Sequence, residues 1–465
     1  MAFAPLESRV PYPRRIFCNR NLRLDRIRHV GFDMDYTLAV YEEAMEHLQA
    51  EMVLERMVER DGYPAAILGA KYQPGFAIRG LAVDMAHGNV FKMDSHRFVG
   101  RVWHGAGPLD KEARKAIYTN RKLSPADPSI MMVDTLFSLP EISLYCQLVE
   151  LLYGSNGTSR PATQGSYERL WRDLRESMDE LHRDGTLKAR ILADVPRFIR
   201  RDPALAETLH RFRSSGKRLF LLTNSEPHYT EAVMTHLLLG AHPAYPGWRD
   251  YFDLVITSAK KPMFFGSEAP FFEVGPDLEP STEPARAFKR GGLYVGGNFQ
   301  DLSRIGGLVG DDVLYVGDHI YGDILRSKRS TSWRTAMIIP EMEKELEHGL
   351  ALQDEILQLD RAEEAAFQLE LDRSALALDG IRNLELNAQL KDVTQRAQVL
   401  EQSISNHFNP AWGQLFRDRA ELSAFGAQVE DYACVYTSRV SNFRSYSPSF
   451  YFRSPRDRMA HELAR

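Results

Sequence analysis

From about residue 200 to 340 the chain alternates short apolar runs with amphipathic stretches, and this alternation limits the fold more than any other feature. The runs 218–222, 253–257, 313–316 and 336–339 read as buried strands, with helices over 205–212 and 227–239. Strand–helix–strand repetition leaves a parallel sheet with crossover helices as the solution. A further apolar run, Val30-Gly-Phe32, lies far upstream and reads as the end of another buried strand.

Four of these strands end in polar chemistry, where an open α/β sheet binds its ligands. The upstream strand runs into Asp33 and Asp35, whose spacing puts both carboxylates on one side of an extended backbone. Two such acids can hold a hard cation, and one can attack an electrophile. The second strand runs into Thr223-Asn-Ser225 at the mouth of a helix, where a hydroxyl and free N–H groups can hold a phosphate. The third is followed by Lys260-Lys-Pro262, whose Lys261 is a point charge suited to a phosphoryl oxygen. The fourth gives Asp318 and Asp323 in Gly-Asp-x-x-x-x-Asp. Each feature alone is common, but the four in this order point to phosphoryl chemistry.

The chain has 465 residues, enough for two or three structural units. A net charge of −5 gives no pull toward nucleic-acid polymers or membrane surfaces, so an anionic substrate must be attracted locally. Cys18, Cys146 and Cys434 form no CxxC pair, which suits a reducing compartment and no zinc site. With no apolar leader and no spanning run, a cytoplasmic protein is expected.

Along the chain, 42–60 reads as a helix, 75–105 as a small β meander, 106–130 as a polar loop and 136–152 as a buried helix. Over 165–183, Leu170, Leu174, Met178 and Leu181 mark one face of a long helix. Arg172, Arg175, Asp179 and His182 lie off that stripe, and Arg175 and Asp179 are four apart, the spacing of a surface ion pair. Residues 341–404 read as long helices, with a seam at Leu390, Val393, Ala397, Leu400 and Ile404 suited to another helix or a second subunit. The aromatic-rich stretch 425–452 is expected to pack back on the core or to bury an interface.

The strand-end order resembles the haloacid-dehalogenase superfamily, and the wording resembles the cytosolic purine 5′-nucleotidases and their bacterial relatives. The similar phrases are Phe32-Asp-Met-Asp-Tyr-Thr-Leu-Ala-Val-Tyr41, Thr135-Leu-Phe-Ser-Leu-Pro-Glu141, Thr223-Asn-Ser225 and Lys260-Lys-Pro-Met-Phe-Phe265. Gly317-Asp-His-Ile-Tyr-Gly-Asp-Ile-Leu325, Trp412-Gly-Gln-Leu-Phe416 and Tyr446-Ser-Pro-Ser-Phe-Tyr-Phe-Arg453 complete them. The likeness runs from Phe17 to His461.

The resemblance implies an α/β fold: a Rossmann-like core with a parallel sheet (1–45 and 195–340), a large inserted cap (46–194) and a C-terminal helical extension (341–465). It implies Asp33 as nucleophile and Asp35 as general acid and base. Thr223, with Asn224 and Ser225, would bind phosphate, and Lys261 would neutralise it. Asp33, Asp35, Asp318 and Asp323 would hold Mg²⁺. In the cap it implies nucleotide contacts at Arg175, Asp179, His182 and Lys188, with Phe137 stacking on the base. The chain departs from the purine enzymes at Asp134, Ser138 and Arg183, where they have Asn, Asn and Tyr.

The expected function is Mg²⁺-dependent hydrolysis of purine nucleoside 5′-monophosphates of the IMP and GMP type. It would proceed through an aspartyl-phosphate, with phosphate transfer to nucleosides as an associated activity, in a dimer or tetramer. A phosphatase for another phosphomonoester and a non-catalytic nucleotide-binding protein are the alternatives.

Overall fold

The computed structural model describes residues 10–119, 123, 127–154, 163–308, 310–319 and 331–455. Its centre is a ten-stranded sheet. Seven strands are parallel, in the spatial order Val435–Thr437, Arg334–Ile338, Val313–Gly317, His29–Phe32, Arg218–Leu222, Leu254–Thr257 and Gly292–Gly296. Antiparallel strands close both edges, Phe17–Cys18 beyond Val435–Thr437 and then Phe271–Val274 and Pro280–Pro284 at the other side.

Period-two alternation explains why these runs form a two-sided sheet. Val30, Phe32, Leu219, Leu221, Leu314 and Val316 enter one apolar cluster. Phe220, Leu222, Ile256, Tyr294, Val313 and Tyr315 enter the other. The expected α/β architecture, a parallel sheet with a large insertion and long C-terminal helices, is the observed one.

Strand order fixes where a ligand belongs. From His29–Phe32 the chain moves to Arg218–Leu222 on one side and returns through Val313–Gly317 on the other. The carboxyl end of His29–Phe32 is therefore the switch point of the sheet, and Asp33 is the next residue. Gly31 makes this strand fit. It stands in register between Phe220 and Tyr315, whose rings stack with centroids 6.4 Å apart. A Cβ on Gly31 would lie 2.2 Å from the Phe220 ring.

The insertion enters and leaves the core through a two-stranded ribbon, Val40–Tyr41 paired with Ile199–Arg200. It carries the helix Glu43–Glu59 and a five-stranded antiparallel sheet. Helices Leu139–Tyr153 and Ser166–Arg183 follow, the latter burying Leu170, Leu174, Met178 and Leu181. The stretch 106–130, expected to be loop, contains a helix at Lys111–Tyr118. Asp110 caps it by accepting from the Ala113 N–H at 2.8 Å. Tyr118 is its one deeply buried residue, so no apolar period advertised it.

Gln353–Leu378 and Leu384–Phe408 pack on one another, with Leu390, Val393, Ala397 and Leu400 half-buried between them and Ile404 buried. The chain then straps the insertion's sheet. Asn409 Nδ2 donates to the Gly75 carbonyl at 2.8 Å, and the buried Lys92 ammonium donates to the carbonyls of Trp412 (3.0 Å), Arg417 (2.5 Å) and Gln414. Burial lowers the Lys92 pKa to about 8. Within the aromatic stretch, Val435–Thr437 joins the central sheet. Among the described residues no helix is long and apolar enough to cross a membrane.

Gly31→Ala must displace Phe220, and overpacking of this kind costs about 1–3 kcal/mol. Urea denaturation should show that loss. An unchanged midpoint would mean that the two rings have room to part.

Candidate active site

Asp33 and Lys261 meet at the switch point. Their side chains, both largely buried, lie 2.9 Å apart, Nζ to Oδ1. The Met34 N–H donates to the same Oδ1 at 2.8 Å. Lys261 Nζ also donates to Tyr315 Oη at 3.0 Å, and Tyr315 Oη donates to the Leu222 carbonyl at 3.2 Å. Asn224 fixes the lysine's backbone from both ends. Its Oδ1 accepts from the Lys261 N–H at 2.6 Å, and its Nδ2 donates to the Lys261 carbonyl at 3.0 Å. Beside it, Thr223 is fully buried, and its Oγ1 accepts from the Ser225 N–H at 3.1 Å.

Asp35 has different company. Tyr41 Oη donates to its Oδ1 at 2.6 Å and Ser225 Oγ to its Oδ2 at 2.8 Å. Tyr229 Oη lies 2.9 Å from Tyr41 Oη. Burial, then the charge of Asp35, raises both phenols well above their ordinary range, so they stay protonated. One carboxylate thus faces an ammonium and the other faces hydroxyls. Three non-glycine residues near these strand ends, Tyr36, Ser258 and Lys260, have φ of 53°, 48° and 57°. Left-handed backbone of this kind persists only where its surroundings hold it, and it gathers at functional sites.

Asp318 follows Val313–Gly317, the strand paired with His29–Phe32, and is 4% exposed. Its carbonyl accepts from Arg79 Nη1 at 2.7 Å, while the rest of that guanidinium forks onto Glu341 with two bonds of 2.7 Å and lies over the Phe425 ring. His319 Nε2 lies 3.4 Å from Asp134 Oδ1. Asp323 lies outside the described residues. Among the described residues no group of three or more His, Cys, Asp or Glu side chains is placed to hold a metal ion.

The insertion brings some of its expected residues to this place. Phe137 packs edge-on against Tyr36 (centroids 4.7 Å) and His182 (5.3 Å), and lies 6.0 Å from the Tyr41 ring. Lys188 pairs with Glu226 and lies 5.5 Å from the Tyr229 ring. Arg175 corrects the expected surface pair. It turns to the buried Glu141 at 3.0 Å rather than to Asp179, which is exposed. Burial raises the Glu141 pKa to about 7, against the pull of Arg175.

Sequence reasoning missed Arg79, Gln49, Tyr41 and Tyr229. Gln49 is fully buried, and its Nε2 lies 3.3 Å from His182 Nε2 and 3.4 Å from the Phe137 carbonyl. Tyr41 stood inside a quoted phrase, and Tyr229 six residues after Thr223, so their positions were visible but their partners were not.

Burial, then the Lys188 charge, lowers the His182 pKa from 6.5 to about 4. The unfolded chain therefore binds the extra proton first, and His182 costs stability as pH falls from 6.5 toward 4. His182→Asn should remove roughly 2 kcal/mol of that acid sensitivity. Urea midpoints at pH 4.5 and 7 test this, and an unchanged difference between them would place His182 in water.

The chain is similar to known proteins along almost its whole length. A family model described as the 5′ nucleotidase family matches residues 16–464. The 5′-nucleotidase domain-containing protein DDB_G0275467 of Dictyostelium discoideum is 30% identical over 459 residues, covering 97% of this chain and 75% of its own length. The 5′-nucleotidase domain-containing protein 2 of Homo sapiens is 28% identical over 470 residues, covering 97% and 85%. Among solved structures, CbbY from Rhodobacter sphaeroides in complex with phosphate is 13% identical, covering 67% of this chain and 86% of that one. Its TM-score is 0.24, a likeness too loose to assign any residue a role. On the match that spans it almost end to end, the chain belongs to the 5′ nucleotidase family.

Proposed function

We propose that this chain is a Mg²⁺-dependent 5′-nucleotidase acting on purine nucleoside monophosphates through an aspartyl-phosphate on Asp33. The observation that carries the reading is the division of labour between the two carboxylates. Asp33 sits 2.9 Å from Lys261, and Asp35 is held by hydroxyls alone among its described contacts.

The chemistry follows from those surroundings. Asp33 attacks phosphorus, and Lys261 leaves it for the phosphoryl oxygens as charge moves onto them. Thr223 Oγ1, which accepts from Ser225 N–H, keeps its own proton to donate to a phosphoryl oxygen. Asp35 gives a proton to the departing 5′-oxygen and takes one from the water that cleaves the acyl phosphate. Replacing that water by a nucleoside hydroxyl gives phosphate transfer by the same step.

Asp33, Asp318, the backbone carbonyl of Asp35 and Asp323 would hold Mg²⁺. All are oxygen donors, and Asp33 and Asp318 follow neighbouring strands in register, the few-carboxylate set this ion prefers. Bound there, Mg²⁺ supplies positive charge to the phosphoryl oxygens.

Residues 46–194 act as a cap that reads the leaving group through Phe137, His182 and Lys188, with the neutral imidazole offering a hydrogen bond rather than a charge. Arg175 serves the substrate only by leaving Glu141. Its engagement there favours, as a second reading, a phosphatase for another phosphomonoester. We place the protein in the cytoplasm as a homo-oligomer, with the long helices offering the contact. A monomer mass by light scattering would remove the oligomer.

Phosphate release from IMP, GMP, AMP, UMP, deoxynucleotides and sugar phosphates, with and without Mg²⁺, tests the reading. Mg²⁺-dependent preference for IMP or GMP is expected, and Asp33→Asn should lose at least about 10³-fold. Turnover confined to other esters would support the second reading. Nucleotide binding without turnover would make the protein a non-catalytic binder.

A further inference from the structure

The helix Glu43–Glu59 buries a stripe at steps of four: Met45, Gln49, Val53 and Met57, each 0% exposed. Three members are apolar and one is an amide. Packing against Ser166–Arg183 asks for an apolar residue at all four positions. Gln49 instead buries an amide whose Oε1 has no hydrogen-bond partner among the described residues. A buried acceptor left unmatched costs stability, so the amide nitrogen serves a purpose that leucine could not.

Three atoms surround that nitrogen: the Phe137 carbonyl oxygen at 3.4 Å, the Met178 sulfur, and His182 Nε2 at 3.3 Å. A carbonyl oxygen and a thioether sulfur only accept, so the NH2 group and not Oε1 belongs at this place. Turning the amide round would set two acceptors against Oε1 and bury the NH2 group away from both. With a donor fixed opposite it, His182 Nε2 must carry the lone pair. The ring is neutral at neutral pH, because burial and then the Lys188 charge lower its pKa to about 4. Its one proton therefore sits on Nδ1, for which no described residue supplies an acceptor.

We propose that Gln49 is a positioning residue that holds His182 in the Nδ1–H tautomer, and so gives the insertion a hydrogen-bond donor that selects nucleobases with an acceptor at the 6-position. The inference rests on the nucleotidase reading above and names a cause for its base preference. No proton is transferred and no charge is created.

The donor stands close to the place where a base would lie. His182 is edge-on to Phe137, which packs on Tyr36 and lies near Tyr41, the ring whose hydroxyl reaches Asp35. A 6-oxopurine presents O6 and N7 side by side, both acceptors, whereas adenine presents N7 beside an amino group. An Nδ1–H facing the 6-substituent bonds to IMP and GMP and meets the amino group of AMP donor to donor. The other tautomer reverses the preference, since a bare Nδ1 accepts from that amino group. One amide hydrogen bond inside the insertion thus sets the sign of the selection.

The tautomer and the selection are measured separately. Gln49→Met keeps the length and apolar volume of the side chain and removes its donor, and Gln49→Leu is the second variant should the first not fold. The imidazole nitrogen NMR signals report the tautomer whether or not the protein turns over substrate. Among 14 histidines, His182 is identified by the signals that His182→Asn removes. At neutral pH the parent should show a protonated Nδ1 and a bare Nε2, and either Gln49 variant should move the proton to Nε2. In steady-state assays the same variant should raise the KM for IMP about tenfold at unchanged kcat and leave that for AMP unchanged or lower, the mark of a contact made equally by substrate and transition state.

Nitrogen signals alike in parent and variant would overturn the inference. So would a KM that rises equally for IMP and AMP, which marks a disturbed insertion and not a lost donor. A parent that releases phosphate from no nucleotide would overturn the nucleotidase reading and the selection with it, while the nitrogen signals would still decide whether Gln49 holds the ring.

Discussion

The Asp33–Lys261 pair is the interaction on which the rest of the site depends. Two charges out of water cost more than their attraction returns unless other groups complete their hydrogen bonding. Here the completing groups come from every neighbouring strand end. Met34 N–H serves the carboxylate, Tyr315 Oη serves the ammonium, and Asn224 clamps the lysine backbone. Tyr315 brings its hydroxyl to Lys261 from the strand beside Gly31, the side-chain-free position between it and Phe220. One glycine two residues before Asp33 is thus linked, through ring packing, to the charge that faces that carboxylate.

The same dependence explains why the core of the site could be read from sequence and its rim could not. Strand-end residues are fixed by local pattern: a buried run, then Asp33, Thr223, Lys261 or Asp318, lands each side chain at the carboxyl edge whatever the loops do. Arg79 had no such signal. Its meaning lies in Glu341 and Asp318, 262 and 239 residues away in the chain, and an arginine after a turn-rich stretch looks like any surface residue. Arg175 shows the opposite error. Helical spacing offered Asp179 as its partner, but a buried carboxylate on another helix, Glu141, competes better than an exposed one on its own.

Secondary structure failed in sequence for similar reasons. Gly292–Gly296 is a strand with glycine at both ends, and Val435–Thr437 is three residues inside an aromatic stretch. Neither is long enough to show a period. Each is a strand because the sheet has an edge to extend, which is a property of the assembled core and not of the segment.

These long-range ties also bear on how the insertion can move. An insertion joined to its core only by the ribbon at Tyr41 would swing at little cost. This one is held at the site by Arg79, whose buried guanidinium contacts the Asp318 carbonyl and Glu341 together. Swinging away would strand a buried arginine and its acceptors, at about 1–3 kcal/mol for each group left without a partner. The strap at Lys92 and Asn409 adds to this hold, because it ties the insertion to a C-terminal segment whose strand Val435–Thr437 is part of the central sheet. The Lys188–Glu226 pair and the packing of Phe137 on Tyr36 join the insertion to the core as well. Of these contacts, Arg79 is the one that also holds the backbone of Asp318 in place.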